Sequence, residues 1–486
     1  MKRATLLATA GLAPLIAALA FVLLLGCAAR ARATSATAQA QNLLADANYT
    51  VTLPAVMQGV NADYVSPFGI VMYGNVDNAD GLQTMQTAGT TWVTTELYWS
   101  DIQPTQNGGL DWSSFDTKAD NAQAAGMNLY VLFTGNPSWA AQYPGGPVYV
   151  TQTQALVNFV QAMVERYNCD GIDDAPGHPC VHYWSFYAEP DNGDPGRAAQ
   201  GKGLWGNNGA GYAAMLKQIS PVIHAADPEA KVLIGGLAYD SFEPAGPFVR
   251  SFLTDTLAAL ETYPGGPTAY IDAVAFHYYP LDFPTITAKA EDIRGIMDRN
   301  GAGSLPLLSP ETGFWSSSKW GSSLSEQADW VVENYVRGLS MNFTMLSLYK
   351  VFDDVVAGSA QDADPGDTCG LLDVNGNPKP AYYAYKTMTG ELGGATYLGP
   401  FQASGVEGYV FLNAAGVQET VLWSTSSPQA VAFPYSQVRV VSATGQVSYV
   451  SAGQRRAGAH GDVDGRKNGQ ISLIVNVNQP IYVEPN

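Results

Sequence analysis

Between residues 68 and 351 the chain alternates two hydrophobic patterns. Short, nearly unbroken apolar runs occupy 68–73, 91–97, 128–133, 182–187, 231–235, 271–277, 306–311 and 345–351. Runs of that length without polar alternation read as strands buried on both faces. Between them, apolar residues recur at the helical period. In 151–167, Leu156, Phe159, Val160, Met163, Val164 and Tyr167 share one face behind a Thr151-x-x-Gln154 capping box. Ser323-x-x-Glu326 opens another helix, with Ala328, Val331, Val332, Tyr335, Val336 and Leu339 on its apolar side. Eight strands alternating with helices predict an α/β fold, a (β/α)8 TIM barrel.

The pattern changes after Gly390. Short β-rich runs at 408–412, 419–423, 438–441, 447–450, 471–477 and 481–483 are punctuated by Gly, Ser, Asn and Pro. They predict a small all-β sandwich that follows the barrel. No exposed aromatic row is legible in it, so bracing the barrel is the preferred role over binding carbohydrate. Asp462-Val463-Asp464-Gly465 resembles half a calcium loop, but Arg466 stands where another oxygen ligand is needed. The segment reads as a hairpin tip. The expected organisation is a signal over 1–33, a low-complexity tether over 34–50, the barrel over 51–392 and the sandwich over 393–486.

Composition adds constraints. The 486 residues are 46% hydrophobic and 14% charged, which excludes a disordered chain. A net charge of −19 argues against a nucleic-acid or anionic-membrane surface and leaves neutral polymers as the best-fitting partners. Met1-Lys2-Arg3 precedes an apolar stretch over 12–25, the pattern of an export signal. Leu24-Leu25-Gly26-Cys27 resembles a bacterial lipobox, which makes Cys27 a candidate for lipidation. Ala31-Arg32-Ala33 is a competing ordinary cleavage site. The protein is therefore expected to be exported, either extracellular or a cell-surface lipoprotein touching the membrane only through that anchor. Cys169 and Cys180 bracket an Asp/Gly/Pro-rich loop and read as a local disulfide, the alternative being two unrelated thiols. Cys369 reads as a buried thiol rather than a nucleophile. Five scattered histidines, with no C-x-x-C or H-E-x-x-H, give no reason to expect a metal or cofactor.

Two of the buried runs end in carboxylates followed by Pro or by Thr-Gly: Ala188-Glu189-Pro190 and Pro310-Glu311-Thr312-Gly313. Catalytic groups of a parallel barrel sit at the C-terminal ends of its strands, and paired carboxylates suit glycoside hydrolysis. With His277-Tyr278-Tyr279 at strand six, over roughly residues 65–390 the chain resembles a retaining glycoside hydrolase of clan A. It is similar to the family 39 and family 5 type of barrel with a trailing β-sandwich. The resemblance implies that Glu189 is the general acid/base and Glu311 the nucleophile, with Tyr279 and His277 assisting. Once Glu311 is ionised, its charge favours the protonated form of Glu189.

The chain departs from the family at two positions. Ala188 stands where the family has an Asn that contacts the sugar 2-hydroxyl, and Thr94 where an Arg ends strand two. The first removes a transition-state contact and the second a positive neighbour of Glu311. Trp99, Trp139, Trp205, Trp315 and Trp320 fall in predicted mouth loops, as stacking platforms or as packing. Trp92 and Trp184 read as core. Asp191 and Asn192 are candidate sugar contacts, and the loop 191–211 a candidate cleft wall. The expected function is hydrolysis of O-glycosidic, β-configured bonds of oligo- or polysaccharides by double displacement. The alternatives are a carbohydrate-binding barrel whose activity has decayed and a transglycosylase.

Overall fold

The computed structural model describes residues 66–193, 204–242, 246–455 and 460–486. The expected export signal, Cys27, the expected tether and part of the 191–211 loop lie outside them. Eight parallel strands close into a barrel in chain order. They are β1 (Phe68–Val71), β2 (Trp92–Tyr98), β3 (Asn128–Thr134), β4 (Tyr183–Phe186), β5 (Lys231–Leu237), β6 (Ala273–Tyr278), β7 (Leu307–Thr312) and β8 (Leu346–Leu348). β8 returns to β1 through Phe68↔Leu346 and Ile70↔Leu348. The helices outside are α1 (Leu82–Thr87), α2 (Trp99–Ile102), α3 (Ser113–Ala124), α4 (Thr153–Tyr167), α5 (Gly209–Ala226), α6 (Phe252–Glu261), α7 (Ile286–Arg299), α8 (Leu324–Ser340) and α9 (Pro380–Leu392).

The contiguous apolar runs have the cause inferred from sequence. One face of each strand packs under the helices, and the other fills the barrel with Trp92, Tyr130, Leu233, Ala275, Leu308 and Met345. Ser323 caps α8 as expected, accepting from the Glu326 amide and donating to its carboxylate. The capping box at Thr151 does not form. A 3-10 turn over Val150–Gln152 absorbs Thr151, and Gln154 instead donates to Asn158 one turn on.

Downstream, a six-stranded sheet holds β9 (Thr396–Pro400), β10 (Val406–Leu412), β11 (Gln418–Ser424), β13 (Gln437–Ser442), β14 (Val447–Ser451) and β16 (Ile481–Pro485). A two-stranded sheet pairs β12 (Gln429–Phe433) with β15 (Ile471–Val475). β9 and β12 were not expected. Alternation along the strands separates two cores. Leu422, Val438, Val440 and Val483 meet the small sheet, whereas Phe411, Val421, Trp423 and Tyr482 join the barrel's own core. One face of the larger sheet is thus part of the barrel's packing, in keeping with a brace. Among the described residues, no helix is long and apolar enough to cross a membrane. Cys169 and Cys180 form a disulfide, and Cys369 is a buried thiol.

The seam between barrel and sheet carries more acids than bases. Arg337 of α8 grips Glu407 through two bonds (2.7 and 2.9 Å), lies 3.2 Å from Glu333, and covers the Trp423 ring. Arg439 of β13 binds Glu391 of α9 at 2.6 and 2.8 Å and Glu484 of β16 at 3.0 Å. The fully buried Glu419 of β11 adds a third carboxylate to that node. Burial, then the charges of Glu391 and Glu484, push Glu419 up to about 9, and burial lifts Glu333 to about 7. Folded Glu419 therefore keeps a proton between its ordinary range and about 9 that the unfolded chain releases, and stability falls as pH rises through that window. Melting followed at pH 5, 7 and 9 is expected to show a smaller loss of stability in Glu419→Gln than in the parent. Parallel curves would place the proton elsewhere.

Candidate active site

Barrel register brings the chemistry together. His277 on β6 lies directly opposite Glu311 on β7. Glu189 arrives from the end of β4, where the chain turns through left-handed conformations at Tyr187 (φ 64°) and Glu189 (φ 45°). The Glu189 amide donates to Gly236 O (2.9 Å), which fixes this turn against β5. Both carboxylates and the imidazole are more than nine-tenths buried. His277 Nδ1 is 3.3 Å from Glu189 Oε1 and 3.7 Å from Glu311 Oε1, and one oxygen of each glutamate lies within 4.8 Å of the other. The four side chains expected at the catalytic centre are brought together.

Tyr279 donates to Glu311 Oε1 at 2.7 Å. A second hydroxyl, unforeseen from sequence, reaches the other oxygen: Tyr73, two residues past β1, donates to Oε2 at 2.8 Å. Burial and then the charge of Glu311 hold both phenols well above their usual range, so both hydroxyls stay protonated donors. Tyr349 stands edge-on to Tyr279, ring centroids 6.3 Å apart. No Arg or Lys lies within ion-pair distance of Glu311 among the described residues. Glu189, His277 and Glu311 are also the set here whose atoms could converge on a metal ion; the other such group, Cys169, Cys180 and His182, has both thiols in the disulfide.

Gly236 is required by close approach. A Cβ there would sit 2.1 Å from His277 Nε2, and a Cβ on Gly235 would sit 1.9 Å from Tyr187 O. Because His277 is buried it cannot retreat. Gly236→Ala is expected to cost about 1–3 kcal/mol in thermal unfolding and to lower any turnover more than stability alone explains. A variant with unchanged melting and kinetics would show that His277 has room to turn.

Several sequence expectations meet different surroundings. Thr94 does not end strand two: β2 runs on to Tyr98, and Thr94 donates to Ser347 inside the barrel at 2.8 Å. What β2 presents at the mouth is Glu96, which accepts from Tyr98 (2.5 Å). Asp191 does not face the cleft. Its carboxylate takes the amides of Ala238 (3.1 Å) and Tyr239 (2.8 Å), and burial raises it to about 6. Asn192 is fully buried in a bridge to Phe248. Both brace the turn that carries Glu189. Trp99 opens α2 immediately after β2 and packs inward on Phe133 and Phe159, leaving no face for a ligand. Trp205 is buried against Tyr187 and Tyr212. Trp139, Trp315 and Trp320 remain partly exposed; Trp315 donates to Trp320 O and Trp320 to Asp362. Trp92 and Trp184 are core, as expected. Tyrosines 73, 98, 279 and 349 thus supply aromatic surface close to the acids. Ala188 is half-buried beside Glu189.

No protein-family model matches the chain, and no curated protein does. Solved structures do. A family 39 glycoside hydrolase from Bacteroides cellulosilyticus WH2 matches with a TM-score of 0.62 at 15% identity, over 87% of this chain and 81% of that one. A GH30 endoxylanase from Clostridium papyrosolvens C71 matches at 0.58 and 11%, over 88% and 98%. A monomeric β-xylosidase from Caulobacter crescentus CB15 matches at 0.57 and 15%, over 87% and 98%. At such identities the likeness is one of fold: over most of its length, this chain has the architecture of glycoside hydrolase structures.

Proposed function

We propose that the protein is an exported retaining glycoside hydrolase acting on β-linked oligo- or polysaccharides. The observation that carries this reading is the pair Glu189 and Glu311, oxygens within 4.8 Å across one buried imidazole. A retaining mechanism wants carboxyls about 5–5.5 Å apart, whereas inversion leaves room for a water between them. In the first step a Glu311 oxygen attacks the anomeric carbon. The bond to the leaving oxygen breaks, and that oxygen takes the proton of Glu189. In the second, water gives a proton to Glu189 and its oxygen bonds to the anomeric carbon. The ester's electron pair returns to Glu311. Tyr279 orients the nucleophile, and His277 spaces the two acids. The disulfide suits an oxidising compartment, and lipidation at Cys27 would tether the enzyme to the cell surface.

The test is hydrolysis of a panel of aryl β-glycosides and polysaccharides, with the first-formed anomer read by proton NMR. Release of the β-anomer supports the reading, and an α-anomer overturns it. Ala188, which offers no amide to the sugar 2-hydroxyl, favours a second reading as a carbohydrate-binding barrel. Silence across the panel together with glycan binding would select it.

A further inference from the structure

Among the described residues, no Arg or Lys holds the candidate nucleophile. Each Glu311 oxygen instead takes one phenol, and the two phenols come from opposite sides of β7: Tyr279 just past the neighbouring strand β6, and Tyr73 from beyond β1, on the other side past β8. Tyr73 is also unusual among the buried groups here. Its hydroxyl end is desolvated against Glu311, yet 38% of the residue is exposed to solvent. Its backbone is stapled in place. The Met72 amide donates to Thr94 O at 2.9 Å, and Lys118 reaches both Tyr73 O (3.4 Å) and Glu96 O (3.1 Å), tying the ends of β1 and β2 together.

We propose that Tyr73 is a two-part positioning residue, its hydroxyl fixing the second oxygen of Glu311 and its ring walling the sugar subsite beside that carboxylate. This rests on the glycosidase reading above. A hydrogen bond to a carboxylate is stronger than one to an ester oxygen. The Tyr73 hydroxyl therefore favours the step in which Glu311 recovers its charge, the breaking of the glycosyl ester. A phenol does this work without placing a positive charge beside the sugar. The exposed ring offers an apolar face to the C–H side of a pyranose, which links binding to orientation of the nucleophile.

The experiment compares the parent, Tyr73→Phe and Tyr73→Ala on the aryl β-glycoside that the parent turns over fastest, a 2,4-dinitrophenyl xyloside or glucoside in the first instance. Tyr73→Phe keeps the ring and is expected to lower kcat about 10- to 100-fold, as loss of a bond to a charged group does. KM should fall with it, and a burst of dinitrophenol should appear as the ester accumulates, detectable as a mass adduct on Glu311. Tyr73→Ala removes the hydroxyl as well as the ring, so it should show the same burst, with a KM up to about tenfold above that of Tyr73→Phe for want of the ring face. A purely structural role would lower the active fraction and produce no burst. Active parent enzyme beside a Tyr73→Phe variant of unchanged kcat and no burst overturns this inference alone. A parent silent on every glycoside removes both it and the glycosidase reading.

Discussion

Glu311→Ala is expected to abolish turnover, by roughly four to six orders of magnitude in kcat, the scale on which nucleophile deletions act. The residue lies at the end of β7 with both oxygens already committed to phenols, so its orientation is set before substrate arrives. Preorganisation of that kind makes the loss specific to the chemistry. Glycan binding should change little, and stability should fall by only about 1–3 kcal/mol, for the Tyr73 and Tyr279 hydroxyls left without their acceptor. A 2-deoxy-2-fluoro aryl glycoside should label the parent at Glu311 and leave the variant unlabelled. Equal turnover by parent and variant, or a label on another residue, would remove Glu311 from the mechanism.

The second large effect belongs to Glu189, and it depends on the substrate. Protonation helps a poor leaving group far more than a good one, so Glu189→Ala should lower kcat/KM for an alkyl glycoside or glycan by about 10³- to 10⁴-fold. With a dinitrophenyl leaving group the first step needs no acid, and the ester should pile up for want of a base to activate water. Added azide, which needs no deprotonation, should then restore turnover and yield a β-glycosyl azide. Loss of the same size with every leaving group, and no response to azide, would assign Glu189 a role other than acid/base.

The parts of this molecule that were legible from sequence are those governed by one dominant force. Barrel strands buried on both sides leave no polar gap, and all eight stand within a few residues of the apolar runs. β9 was invisible because it is half exposed and ends in Gly399-Pro400, and β12 because Ala430 and Ala432 weaken its β character. Site residues followed the same division. Glu189, Glu311, His277 and Tyr279 announce themselves by ending strands. Tyr73 carries no motif, and only barrel closure brings it to Glu311. Asp191 was misread for a related reason: its partners, the amides of Ala238 and Tyr239, lie one strand away and leave no mark beside it in the sequence.

The turn at Glu189 carries an energetic cost of its own. A side chain in the left-handed region costs on the order of 1 kcal/mol relative to glycine, and here Tyr187, Glu189 and Tyr239 all bear that burden around one cleft. A change to Gly or Asn at position 189 would relieve the backbone and remove a buried acid together. The carboxylate thus stands where the backbone alone would favour glycine, a local cost that a role in chemistry would account for.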